Sequence, residues 1–176
     1  MIGHHKRDFE LVPYHTDWID HFNHEADLLR SILGNRAIRI EHIGSTSIPG
    51  MDAKAIIDIM IAVPSLIRSS DLILDLDKIG YTYKPFDTIN GRIFFSKESR
   101  PEIRTHHLSL SIEGSEHWNN QLLFRDYLKT DPQLASEYIQ LKRDFAEYYT
   151  HTNHVDFEFK SDFVAKILKL AKSIFK

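Results

Sequence analysis

Gly44, Ser45, Thr46 and Ser47 stand in a row, with Pro49-Gly50, Lys54 and Asp58 close behind. A glycine lets the backbone turn sharply and lets a ligand come near, and hydroxyls beside their own N–H groups form a concave nest that favours an anion. Pro49-Gly50 suits a type II turn, and Lys54 would bring a cation back toward the same anion. The segment is not a P-loop, because Gly50-Met-Asp-Ala-Lys54 lacks the glycine before the lysine. The competing reading is a plain turn whose hydroxyls satisfy their own backbone.

Asp58 weighs against the plain turn. It stands among Ile56, Ile57, Ile59 and Ile61, where an unpaired carboxylate carries a heavy desolvation penalty. It therefore needs a metal, a cationic or hydrogen-bonding partner, or the N–H groups of the loop. Further along, Arg104 to Ser111 alternates, sending His107, Ser109 and Ser111 to one face and His106, Leu108 and Leu110 to the other. His107 is thus the candidate to complete a metal or acid/base site with Asp58 from a neighbouring strand, with a satisfied, partly buried histidine as the alternative. Arg104 could fork onto a phosphate, whereas Arg125, in a Phe-Arg-Asp-Tyr segment, suits pairing with an acid. Glu41 and His42 precede the glycine, and one of them is expected to line the same cleft.

Elements must position these groups. Ala37 to Ile43 has the two-residue period of a strand, and Ala55 to Val63 is apolar enough for a central strand covered on both faces. Before them, Asp17 caps a helix carrying Trp18, Phe22, Ala26, Leu29 and Leu33, which Gly34 stops. His21, His24 and Glu25 lie beside that stripe and read as a solvated face; His4 and His5 read as surface residues of a loose end spanning 1–9. Leu66 to Ile79 is a second helix. Tyr81 to Tyr83, Arg92 to Phe95 and Arg104 to Ile112 are strands extending the sheet by antiparallel pairing. Ser115 and Asp131-Pro132 start two more helices, and Phe163, Ile167, Leu170 and Ile174 mark a last one after a polar break at His151 to His154. Glu158 and Lys160 read as solvated. The class is α/β (α+β), one domain over 1–176: a mixed sheet flanked by helices with a helical C-terminal part.

Composition narrows the function. A net charge of -3 gives no basic footprint, so long nucleic acid is not an expected partner. The chain has no cysteine, which removes thiol chemistry and cysteine metal sites. No apolar run has the length of a membrane span, and the polar start lacks a signal-peptide core, so a cytoplasmic protein is expected.

A Gly-Ser pair followed 14 positions later by an aspartate in an apolar strand resembles the nucleotidyltransferase superfamily signature. The longer text, Glu41-His-Ile-Gly-Ser-Thr-Ser-Ile-Pro-Gly-Met-Asp-Ala-Lys-Ala-Ile-Ile-Asp58, with Arg104-Thr-His-His-Leu108, Leu123-Phe-Arg-Asp-Tyr-Leu128 and the segment from Tyr138 to Lys142, resembles the GrpB family from about Glu10 to Phe163. The resemblance implies a nucleotidyltransferase-like fold, found alone or joined to dephospho-coenzyme A kinase domains. No established reaction comes with the resemblance; the residues themselves lead to the expectation of a nucleotide or phosphorylated small molecule held by Gly44, Ser45, Thr46, Ser47, Lys54 and Arg104, with Asp58 and His107 catalytic and Asp58 holding magnesium. Two features depart from the pattern: Met60 stands where the superfamily places a second metal-binding acid, and Ser109 where the family usually has histidine. Magnesium-assisted nucleotidyl transfer and an inactive nucleotide- or phosphate-binding module are the two expectations.

Overall fold

The computed structural model describes residues 2–5, 8–67, 69–88, 91–152 and 158–174. Its elements in chain order are β1 (His4–His5), α1 (Asp17–Leu33), β2 (Arg39–Ile43), β3 (Ile57–Val63), α2 (Ser70–Lys78), β4 (Tyr81–Tyr83), β5 (Arg92–Arg100), β6 (Ile103–Ile112), α3 (Glu116–Thr130), α4 (Pro132–Thr152) and α5 (Glu158–Ile174). Side-chain caps start α3 and α4, whereas Asp17, expected as the cap of α1, is its first helical residue and Thr16 before it makes no side-chain cap bond. Ser115 Oγ accepts from the Trp118 N–H, and Asp131 Oδ1 accepts from the N–H groups of Gln133 and Leu134 at 3.1 Å each. Gly34 closes α1 at φ 55°.

The sheet runs β2-β3-β6-β5-β4, with β1 beside β6. β4 with β5 and β5 with β6 pair antiparallel, as the sequence predicts, but β6 lies parallel to β3. The chain crosses from β3 through α2 to the far edge, and the β4-β5-β6 meander then works back to the middle. This topology makes β3 central, with Ile57, Ile61, Ala62 and Val63 fully buried. Each of the isoleucine and valine side chains among them contributes roughly 1.5–3 kcal/mol by leaving water.

Alternation along β3 divides the interior in two. Ile57, Ile59, Ile61 and Val63 meet Leu108, Leu110 and Phe95 on the face covered by Trp18, Leu29 and Leu33 of α1 and Leu72 and Leu76 of α2. Met60 and Ala62 point the other way, against Ile43 and Trp118 of α3. Asp58 shares this second face, at the end nearest the β2-β3 connection. Ile48 and Met51 of that connection are packed on Leu128 of α3 and Tyr138 of α4, so the loop is clamped between sheet and helices. Among the described residues no helix is long and apolar enough to cross a membrane.

Two expectations are corrected. His4 is not a surface residue but 7% exposed: among the described residues of the N-terminal end, His4 and His5 pair with Arg104 and Ile103, Gly3 N–H donates to Ala55 O at 2.8 Å, and Phe9 packs on Phe145 and Tyr149 of α4. Those backbone bonds and the aromatic anchor offset the cost of ordering the segment. Glu25 is not solvated but 4% exposed, held by Lys97 Nζ at 2.8 Å. α4 runs through Thr152, so His151 and Thr152 of the expected break are helical; its remaining residues, 153 and 154, and the side chains of Glu158 and Lys160 lie outside the described residues.

His106 lies beside Glu25, with Nε2 3.8 Å from Oε2, and burial pushes its imidazole down to about 4 against the weaker pull of that carboxylate. A histidine less basic folded than unfolded binds fewer protons when folded, so its stabilisation is complete above about pH 6.5 and lost as pH falls toward 4. Urea unfolding at pH 7 and pH 4.5 is expected to show a loss of about 2–3 kcal/mol from this group. His106→Gln should flatten that slope; an unchanged slope in the variant would remove His106 from the explanation.

Candidate functional site

β2 ends at Ile43 and the chain reverses at Gly44, whose φ of 70° lies in the left-handed region. Space demands glycine there as well: a Cβ would stand 2.3 Å from Asp58 Oδ2. Ser45–Ser47 then make one turn of 3-10 helix, tied by Ser47 Oγ donating to Gly44 O at 2.6 Å and Ile48 N–H donating to Ser45 O at 3.1 Å. The turn and the carboxylate are therefore in direct contact.

The parallel register sets Asp58 beside His107, and His107 Nδ1 lies 3.1 Å from Asp58 Oδ1. A carboxylate oxygen accepts, so the ring nitrogen facing it, Nδ1, is the donor. Nε2 is buried and has no hydrogen-bond partner among the described residues, and the ring sits 5.2 Å from the Phe94 ring. Asp58 thus finds its partner in an imidazole rather than in the loop N–H groups. The contact fixes the orientation of the imidazole ring.

A cavity of about 360 Å³ opens in front of this pair. Ser45, Thr46, Lys54, Asp58, His107 and Lys142 give its polar lining, and Phe9, Leu11, Tyr138 and Phe145 much of its apolar wall. Lys142 arrives from α4; its Nζ donates to Ser45 Oγ at 3.1 Å and to Asp52 O, and lies over the Tyr138 ring. Lys54 Nζ lies 3.4 Å above the Phe9 ring, a cation–π contact that holds the charge at the cavity wall. Thr46 is fixed from behind, with Oγ1 3.0 Å from His42 Nε2. His42 stacks on Phe22, and burial pushes its imidazole down to about 4, only partly countered by the Asp58 charge.

Of the residues predicted for the site, the fold gathers Ser45, Thr46, Lys54, Asp58 and His107 at this cavity, with Gly44 against Asp58. Ser47 instead spends its hydroxyl on the turn and borders a separate cavity of about 720 Å³. Arg104 is not brought in, because it falls on the same side of β6 as His106 and sits in register between His4 and Glu98. Glu41 and His42, expected at the cleft, line the larger cavity on the other side of the turn. Arg125 joins α3 to β2, donating to Glu41 Oε2 at 2.8 Å and His42 O at 2.9 Å. Burial works to raise the Glu41 carboxyl, but Arg125 and Arg39 outweigh it and hold the group below the usual carboxylate range.

Lys142, Phe9 and Tyr138 were not anticipated as site residues. Tyr138, Leu141 and Phe145 recur at the helical spacing of an ordinary buried stripe, which hides their second use as a wall. The available signal was the spacing of Tyr138 and Lys142, one helical turn apart, which lays an ammonium over a ring.

Magnesium fits this donor set poorly. Met60 is fully buried against Ile43, Ala62 and Trp118, so the position of a second acid is sealed in apolar packing. Among the described residues no cluster of three or more histidine, aspartate or glutamate side chains could hold a metal. One carboxylate and one imidazole do not make an oxygen-rich magnesium site.

The fold agrees with that of known proteins. The family model described as GrpB protein matches residues 8–170. The chain belongs to the GrpB family. It is 34% identical over 171 residues to the glutamate-rich protein GrpB of Alkalihalophilus pseudofirmus, covering 96% of this chain and 98% of that one. It is 40% identical over 141 residues to UPF0157 protein YqkA of Bacillus subtilis, covering 80% of this chain but only 40% of that protein. A dephospho-CoA kinase of Mycolicibacterium paratuberculosis matches at 28% identity, with 38% of its length covered. The crystal structure of conserved protein GrpB from Enterococcus faecalis superposes with a TM-score of 0.84 at 32% identity, over 95% of this chain and all of that one. A Cid1 poly(U) polymerase structure gives a TM-score of 0.52 at 15% identity over 77% of this chain and 44% of that one, a likeness of fold alone. The GrpB chain therefore carries a nucleotidyltransferase-like mixed α/β fold.

Two substitutions test the geometry by urea denaturation. Gly44→Ala should destabilise by about 2–4 kcal/mol, combining positive-φ strain with displacement of Asp58. Met60→Asp should cost about 3 kcal/mol or more, because a carboxylate under Trp118 has no partner. Wild-type stability in Met60→Asp would mean that this face is open to water.

Proposed function

We propose that the cavity between the Gly44 turn and α4 binds a nucleotide or another phosphorylated small molecule, with its phosphate at Ser45, Thr46, Lys54 and Lys142. The observation that carries this reading is convergence: a hydroxyl-bearing turn, two lysines from different segments and an Asp58–His107 pair open into one cavity. A lysine ammonium is a compact donor for phosphate oxygens, and the backbone of a tight turn adds its own N–H dipoles. The apolar wall of Phe9, Tyr138 and Phe145 suits the ring or hydrocarbon part of such a ligand.

Nucleotides are favoured within that class by the fold shared with the Cid1 structures, one of which is described as bound to MgATP. A coenzyme A precursor comes second, from the dephospho-CoA kinase relative. Nucleotidyl transfer by two metal ions needs paired carboxylates, and Met60 leaves this chain with one. The reading best supported is therefore recognition.

Thermal unfolding across nucleoside triphosphates, dephospho-coenzyme A, inorganic phosphate and pyrophosphate tests it. A true ligand at a hundred times its Kd should add about 2.7 kcal/mol, a rise of several degrees in Tm. Lys142→Met should abolish most of the rise while remaining folded. If none of the probes shifts Tm, the pocket does not serve phosphate.

A further inference from the structure

We infer that this pocket takes its phosphate-bearing ligand without a divalent ion, Lys54 and Lys142 supplying the positive charge and Asp58 acting as the positioning residue of His107. The inference rests on the phosphate-binding reading above and assigns its charge partners.

The first observation is where the carboxylates are. Asp58 Oδ1 faces His107 Nδ1 at 3.1 Å, and Oδ2 closes on the Gly44 backbone so tightly that no Cβ fits between. The strand register sets Glu41 opposite Met60, two residues along from Asp58. Glu41 is already held by Arg125 and Arg39, and it borders the other cavity. The acid that strand pairing brings toward the site is thus neutralised by arginines before any ion could use it.

The second observation is what stands in the pocket instead. Lys142 is anchored by Ser45 Oγ and Asp52 O, and Arg143 fastens the same segment through Asp52 at 3.0 Å. A serine hydroxyl that accepts from an ammonium keeps its own hydrogen to donate, so Ser45 can present an O–H to an anionic oxygen. Lys54, over Phe9, borders the same space from the opposite segment of chain. Two ammonium groups offset the charge of a phosphate monoester, which is the task a magnesium ion otherwise performs.

The two roles of Asp58 have opposite electrostatic signs. A carboxylate that holds a metal attracts phosphate through it, and losing the carboxylate abolishes binding. A carboxylate that only orients an imidazole repels phosphate, and neutralising it strengthens binding.

Titration calorimetry with ATP and with inorganic pyrophosphate, each in EDTA and in excess magnesium, reads this sign. Wild type is expected to bind in EDTA with a Kd within about threefold of that in magnesium. In EDTA, Asp58→Asn should bind about tenfold more tightly and Lys142→Met about tenfold more weakly. Binding that requires magnesium and disappears in Asp58→Asn would overturn the inference while leaving the phosphate site intact. Absence of heat with both probes in both media would instead remove the phosphate site, and this inference with it. Circular dichroism checks the fold of Asp58→Asn; should it unfold, the wild-type comparison of EDTA with magnesium decides alone.

Discussion

A carboxylate in the most buried strand of the sheet constrains everything near it. Asp58 is accommodated on β3 because it stands at the edge of the packed core with its side chain 34% exposed, faces His107 across a parallel pairing, and touches a turn that has no side chain at Gly44. Each of these conditions is supplied by a different part of the chain. The turn fixes where β2 hands over to β3, the meander fixes which residue of β6 arrives beside Asp58, and α4 with the N-terminal segment closes the space in front. If any of them moved by one residue, the alternation of the sheet would turn the partner away.

Much of the architecture could be read from the chain because period and punctuation agree. The isoleucine-rich run of β3, the stripe of α1 ending at Gly34, and the caps at Ser115 and Asp131 are local signals, and the structure places elements where they fall. β5 runs on to Arg100, beyond the Phe95 at which its apolar alternation fades, because pairing with β6 rather than its own hydrophobicity sustains it. The parallel union of β3 and β6 was invisible for the same reason: it is a property of the crossover, and neither strand states its partner.

The candidate site was legible in the same measure. Gly44 and Asp58 announced themselves through residue types unusual for their surroundings, and His107 through alternation. Arg104 was a misreading of a strand whose two faces serve different cores. Lys142 and Phe9 escaped because they reach the cavity from segments distant in sequence, and because an aromatic on a helix stripe carries no mark that distinguishes core from wall. The burial of Glu25 beside Lys97 escaped likewise, since its partner is 72 residues away.

The pairing of β3 with β6 also bears on the order in which the molecule assembles. β5 and β6 are neighbours in sequence and can zip locally, whereas Asp58 and His107 are separated by 49 residues and meet only after the intervening chain has been organised. Loop-closure entropy must be overcome before that contact returns anything. The chemistry-bearing pair is therefore a product of late consolidation, and interactions formed there would hold the native state by slowing its opening more than by hastening its arrival.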